Sequence, residues 1–238
     1  MTWKGIEILY EDNHLLIVRK PQNMPTQADA SGDSSLNEEL KGYLKSRYDK
    51  PGNVYLGLVH RLDRPVGGIV ALAKTGKAAE RLSLQVQTKK MHRTYLALVR
   101  GNPESSGRLR DILFKDARTN TVRVVEEGFP GGKEARLSYR RIARNGELSL
   151  VEVTLETGRS HQIRVQLSHA GLPIWGDARY GQGKPGEQIA LYGAFLSLVH
   201  PTLKKEMHFM ALPPVSMRPW DRFESELLAL REEKMPTE

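Results

Sequence analysis

The segment His60-Arg61-Leu62-Asp63, followed by Arg64-Pro65-Val66-Gly67-Gly68, sets one carboxylate beside two arginines and between two apolar runs. A carboxylate so placed can act as nucleophile or as base, and neighbouring cations favour a charged carboxylate. The same residue types suit a turn in which Asp63 is a cap or an ion-pair partner. On residue types alone, that turn is the plainer reading. A second cluster is Gly158-Arg159-Ser160-His161-Gln162-Ile163-Arg164. It sets two arginines, a serine and a histidine at an expected helix start, where free N–H groups and cations suit an anion. Arg164 falls off the Ile163/Leu167 stripe and is expected to reach into a cleft. A third cluster, Lys90-Met91-His92-Arg93-Thr94-Tyr95, places a tyrosine among basic residues. That combination can stack on a base while holding phosphate, although Tyr95 equally suits the core. A fourth segment, Gly171 to Gly181 with Trp175, Asp177 and Tyr180, carries no nucleotide-binding fingerprint. No metal is expected at His60 or His161.

These clusters need elements to hold them. Alternation and apolar runs predict strands around Ile6–Tyr10, His14–Arg19, Val54–Val59, Ile69–Ala73, Tyr95–Val99, Arg136–Ile142 and Leu191–Val199. Val151, Val153 and Leu155 alternate with Glu152, Thr154 and Glu156, the pattern of a half-buried strand. Ser35 and Glu38 form a capping box ahead of the stripe Leu36, Leu40, Tyr43 and Leu44. Thr75 is expected to cap a helix carrying Ala78, Ala79, Leu82 and Val86. Ser160 is expected to cap one carrying Ile163, Leu167 and Ala170, closed by Gly171. Pro219 suits a first helical position ahead of Trp220, Phe223, Leu227 and Leu230. Consecutive strands with scattered helices predict an α+β fold: a mixed, largely antiparallel central sheet with flanking helices. Residues 1–238 read as a single domain, with two lobes around a central cleft.

Composition narrows the function. The 238 residues hold 36 Lys+Arg against 28 Asp+Glu, a formal charge of +8, and no cysteine. Thiol nucleophiles, disulfides and cysteine-based zinc sites are excluded. Apolar runs fall far short of the roughly 20 residues that span a bilayer, and the N-terminus has no secretory pattern. The expectation is a cytoplasmic protein whose first suspected partner is a polyanion. Lys89–Arg123 holds nine Lys/Arg and three Asp/Glu, whereas Asp221–Glu238 holds six acids and three bases.

His60–Asp63 with Gly67-Gly68 and Ala73-Lys74 resembles the HRLDxxxSGxxxxAK signature of the RluA-like pseudouridine synthases. Ile8–Asp12 through Lys20-Pro21 resembles that family's opening motif. Arg93–Gly101 resembles its tyrosine motif, and Gly158–Arg164 its GRxHQIR motif, followed by Gly176-Asp177 and Tyr180-Gly181. Leu191 and His200-Pro201 resemble its closing motifs. Any one match is weak, but this ordered set spans about 200 residues and is specific.

The resemblance implies isomerisation of uridine in ribosomal or transfer RNA, without cofactor. It makes Asp63 the catalytic aspartate, Tyr95 the ring that stacks on the target base and Arg164 the cation paired with Asp63. Arg61 fills the gap when the uridine is flipped out. Ile163 and Leu191 line the pocket, and His60, Arg64, Arg93, Arg159 and His161 contact RNA. The chain is expected to act as a monomer, without membrane or protein partner, and without the S4 domain that begins many relatives. Gly67 replaces the family's usual serine, Tyr192-Gly193 its usual His-Ala, and Asn23 a glycine. Two readings compete: a non-catalytic RNA-binding or ribosome-assembly protein with this fold, and a nucleoside glycosidase. The glycosidase needs a second acid near Asp63, and the sequence offers no obvious one.

Overall fold

A computed structural model describes residues 1–234. The chain begins with β1 (Thr2–Trp3), β2 (Ile6–Glu11), β3 (Leu15–Lys20), α1 (Leu36–Arg47), β4 (Gly57–Leu58), β5 (Gly67–Ala73) and α2 (Gly76–Gln87). It continues with β6 (His92–Arg100), β7 (Ser106–Asp116), β8 (Thr121–Val125), β9 (Lys133–Asn145), β10 (Leu148–Leu155) and α3 (Gln162–His169). It closes with β11 (Leu191–Val199), β12 (Glu206–Met210), a single 3-10 turn (Trp220–Phe223) and α4 (Glu224–Lys234). The fold class is α+β with a largely antiparallel sheet, as the sequence predicts. The chain divides into two compact units. The first is Met1–Arg93 with Gly193–Ala211, and the second is Thr94–Tyr192 with the chain from Leu212 onward.

In the first unit, β2 pairs antiparallel with β1 and β3, and β5 pairs antiparallel with β3 and β4. All seven residues of β5 are buried. A strand apolar on both faces reads as a central strand, and β11 lies beside it. Gly68 has φ +128°, and a Cβ there would stand 2.3 Å from the Gly193 carbonyl oxygen, so only glycine permits this backbone approach. The capping box forms as read: Ser35 Oγ accepts from Glu38 N–H, and the Glu38 carboxylate accepts from Ser35 N–H. Leu36, Leu40, Tyr43 and Leu44 are buried. Thr75 caps α2, which buries Ala78, Leu82 and Gln85. The run Val54–Val59 yields only the two-residue β4.

The second unit is an antiparallel ladder in which β10 pairs β6 and β9, β9 pairs β7, and β7 pairs β8. The helix α3 sits under the β7–β8 hairpin, where Val165 joins Leu113, Val122 and Ala135. Three expectations are corrected in this unit. Ser160 does not cap α3; His161 holds the N-cap position in the left-handed region at φ +52°, with no side-chain cap. Residues Gln162 to Leu167 are buried all round rather than along one stripe, so Arg164 is enclosed instead of off the packed face. Glu152 is buried, not solvent-facing; its oxygens take Arg140 Nη2 at 2.7 Å and Lys234 Nζ at 2.8 Å. A paired carboxylate tolerates burial where a lone one does not. Near the C-terminus Pro219 precedes a 3-10 turn rather than α-helix, while Trp220, Phe223, Leu227 and Leu230 are buried as expected.

Gly171, at φ +75°, closes α3. Its N–H bonds Ser168 O at 3.1 Å, and Leu172 N–H bonds Leu167 O at 2.9 Å. This pair of hydrogen bonds is the Schellman arrangement that the glycine predicts.

Candidate active site

In the first unit, Asp63 stands half-buried at the start of a turn closed by Val66 N–H on its carbonyl oxygen, 3.0 Å away. Three buried side chains fix the backbone around it. Thr26 Oγ1 donates to Leu62 O at 2.7 Å and accepts from Leu62 N–H at 3.3 Å. Lys20 is 0% exposed, and its Nζ donates to Pro21 O (3.0 Å), Met24 O (2.7 Å) and Arg64 O (3.1 Å). Every N–H of this ammonium thereby meets an acceptor. Burial pulls the Lys20 ammonium down to about 7, with Asp63 favouring and Arg64 opposing its charge. The third clamp is His60, whose Nε2 accepts from Ala71 N–H at 3.0 Å on β5. Nε2 as acceptor places the ring proton on Nδ1. Burial first, then the Arg93 charge, pulls His60 down to about 3, so the ring is neutral at physiological pH.

The arginines of this segment part company. Arg61 is exposed. The Arg64 guanidinium turns to the Thr26–Asp33 loop, where it donates to Ser31 Oγ at 2.7 Å and pairs with Asp33. Arg64 therefore serves Asp63 through its carbonyl, held by Lys20. Arg93 is half-buried.

In the second unit, Tyr95 is 6% exposed on β6, opposite Val153 of β10. Ile163 and Leu191 are also buried. Gln162 ties down the loop ahead of α3. Its Oε1 accepts from Thr157 Oγ1 (2.8 Å) and Arg159 N–H (2.9 Å), and its Nε2 donates to Arg136 O (3.0 Å). Arg159 Nε donates to Glu134 O at 2.9 Å. Arg164 Nε and Nη2 grip Asp177 Oδ2 and Oδ1, each at 2.8 Å, with side chains 8% and 1% exposed. Its guanidinium lies 5.1 Å from the centre of the Tyr180 ring. Burial opposes the Asp177 charge, yet Arg164 and the N–H groups of Tyr180 and Arg179 hold the carboxyl below its ordinary range. The Tyr180 hydroxyl accepts from Val122 N–H at 2.9 Å, which leaves its own proton for His161 Nδ1 at 2.6 Å. His161 then carries its proton on Nε2.

Sequence reasoning missed Lys20, Thr26, Gln162, Asp177 and Tyr180 as supports. Asp177 had a readable signal. An aspartate that follows a glycine, three residues before Tyr180, suits a turn in which its carboxylate accepts the following N–H groups. Asp177 Oδ1 accepts Arg179 N–H at 3.0 Å and Tyr180 N–H at 3.2 Å. Among the described residues no three His, Asp or Glu side chains gather as a metal site requires, and no helix is long and apolar enough to cross a membrane.

Comparison with known proteins bears on this arrangement. A family model described as RNA pseudouridylate synthase matches residues 14–169. Ribosomal large subunit pseudouridine synthase D of Zymomonas mobilis subsp. mobilis is 33% identical over 226 residues, covering 90% of this chain and 71% of that protein. An uncharacterized RNA pseudouridine synthase of Chloroflexus aurantiacus is 38% identical over 170 residues, covering 70% of this chain; the chain spans only 53% of that relative's length. Among solved structures, human RNA pseudouridylate synthase domain containing 4 matches with TM-score 0.74 at 22% identity, covering 93% of each chain, a likeness of fold. Motifs, fold and relatives agree, and the chain belongs to the RNA pseudouridylate synthase family, as an RluA-like member.

Proposed function

We propose that this chain converts specific uridines of large-subunit ribosomal RNA to pseudouridine, with Asp63 as its essential carboxylate. The reaction breaks N1–C1′, turns the uracil and joins C5 to C1′; C5 loses a proton and N1 gains one. Atoms and electrons balance with no donor or oxidant. A carboxylate acting as nucleophile or base toward the ribose meets the requirement.

The observation that carries this reading is the rigid setting of the Asp63 turn. Thr26 and Lys20 hold the backbone on either side of it, at Leu62 and at Arg64, and His60 ties the chain ahead of it to Ala71 of β5. A turn tethered by buried partners is what an entropy-based contribution to catalysis needs. The other roles follow the resemblance. Tyr95 stacks on the detached uracil, Ile163 and Leu191 are its apolar walls, and Arg164 counters the carboxylate's charge. Arg61, exposed, fills the gap left by the flipped base. His60 and Arg64 are given a structural share beside any RNA contact, because their side chains already have protein partners.

The name of the Zymomonas relative favours ribosomal over transfer RNA as substrate. Pseudouridine mapping of total RNA, with and without the gene, tests this. Loss of a large-subunit rRNA site is expected. Loss confined to transfer RNA would move the substrate, and no loss in any RNA would overturn the reading.

A further inference from the structure

The Gly171–Gly181 segment has no place in the reaction as described, yet it encloses Arg164. We propose that Asp177 is the positioning residue for Arg164, and that Tyr180 assists it as a floor beneath the guanidinium. The inference rests on the function proposed above, in which Arg164 counters the charge of the essential carboxylate.

An arginine side chain has several rotatable bonds and loses rotamer freedom when fixed. The helix that carries Arg164 is eight residues long, begins at a left-handed residue and lacks a side-chain cap. Its backbone alone therefore says little about where the guanidinium lies. Asp177 supplies what the helix does not. Two parallel bonds of 2.8 Å hold the Nε/Nη2 edge and fix the guanidinium plane. Of the five N–H donors of the fork, Asp177 takes two, which leaves two on Nη1 and one on Nη2. Tyr180 covers one face at 5.1 Å. Asp177 is itself immobilised by the Arg179 and Tyr180 N–H groups. Tyr180 is immobilised through Val122 N–H and His161, and its carbonyl accepts from Ser168 Oγ on α3. One short turn thus fixes Arg164 and also sets the tautomer of His161.

The test is Asp177→Asn, measured in the full chain. Asparagine keeps an acceptor oxygen for the Arg179 and Tyr180 N–H groups but turns an NH2 toward Arg164 Nε–H, donor against donor. The single-turnover rate on RNA is expected to fall roughly 100-fold, the scale of a misplacement of about 1 Å. RNA affinity and the far-UV spectrum are expected to stay at wild-type values, and the Arg164 Nε–H resonance to lose its protection from exchange. Asp177→Glu, with the charge kept and one methylene added, is expected to restore part of the rate. A folded Asp177→Asn protein with wild-type rate would overturn the proposal, as would a loss carried wholly by RNA affinity. If Asp177→Asn does not fold, Asp177→Glu carries the test: a wild-type rate with an unprotected Arg164 Nε–H contradicts it. The resonance separates this inference from the function it rests on. A wild-type chain inactive on every RNA refutes that function, while the protected Nε–H still reports whether Asp177 fixes Arg164.

Discussion

Lys20, wholly buried, donates a 3.1 Å hydrogen bond to the carbonyl oxygen of Arg64, the residue that follows Asp63. A lysine of the opening motif thereby sets the backbone of the carboxylate turn. Its ammonium sits at about 7 in the folded chain, against about 10.4 when unfolded. Between those values the unfolded chain binds more protons, so this group makes stability rise with pH from about 7 to about 10. Chemical denaturation across that range should show wild type gaining on Lys20→Met as pH rises. A gap that stays constant with pH would contradict the assignment.

Gly68 and Gly193 predict opposite outcomes for one substitution. In Gly68→Ala the new methyl would stand 2.3 Å from the Gly193 oxygen at φ +128°, backbone against backbone. Loss of several kcal/mol, or of soluble protein, is expected. In Gly193→Ala the methyl would meet Leu62 Cδ2 at 3.3 Å, the far end of a flexible side chain. Its stability should stay within about 1 kcal/mol of wild type, since alanine also restricts the unfolded chain. Equal thermal midpoints for the two variants would contradict the close approach of β5 and β11.

Acid should weaken the first unit through Asp12. Burial opposes its charge, but the N–H groups of His14 and Leu15, and His200, hold the carboxyl below its ordinary range. The contacts are Leu15 N–H at 2.7 Å, His14 N–H at 2.8 Å and His200 Nε2 at 2.8 Å. A carboxyl with a depressed folded pKa adds stability above its unfolded value, about 3.9, and loses it as pH falls through the folded one. Asp12→Asn should flatten the acid limb of the unfolding midpoint below about pH 4. An unchanged acid limb would contradict the arrangement.

The motif order made the family and the α+β class readable, because each motif is a short run of side chains with fixed spacing. Local rules also held where one segment decided the matter, as in the Ser35–Glu38 box and the Gly171 stop. They failed where distant chain intervened. Glu152 looked solvent-facing by alternation, but Arg140 and Lys234 cover it. Arg164 looked free by helical stripe, but α3 is wrapped on all sides and Asp177 takes the guanidinium. Arg64 looked like a partner of Asp63, but three acceptors of the 29–33 loop hold it. Lys20 reads in the sequence only as part of the opening motif, because a lysine at a strand end ordinarily is solvated; its three carbonyl partners come from turns that periodicity does not describe.

RNA binding should depend steeply on salt. The chain carries a formal +8, and each phosphate contact on single-stranded RNA contributes roughly 0.7 to the negative slope of log affinity against log salt. Affinity measured across a salt series should fall along such a line; a flat line would contradict an electrostatic grip on the strand.

The central claim is that Asp63 performs the isomerisation. Tritium at uridine C5 leaves only when C5 joins the ribose, so its release from labelled ribosomal RNA reads the reaction directly. Asp63→Ala is expected to reduce release to background while binding the same RNA as tightly as wild type. Release by the Asp63→Ala protein at the wild-type rate would contradict the account.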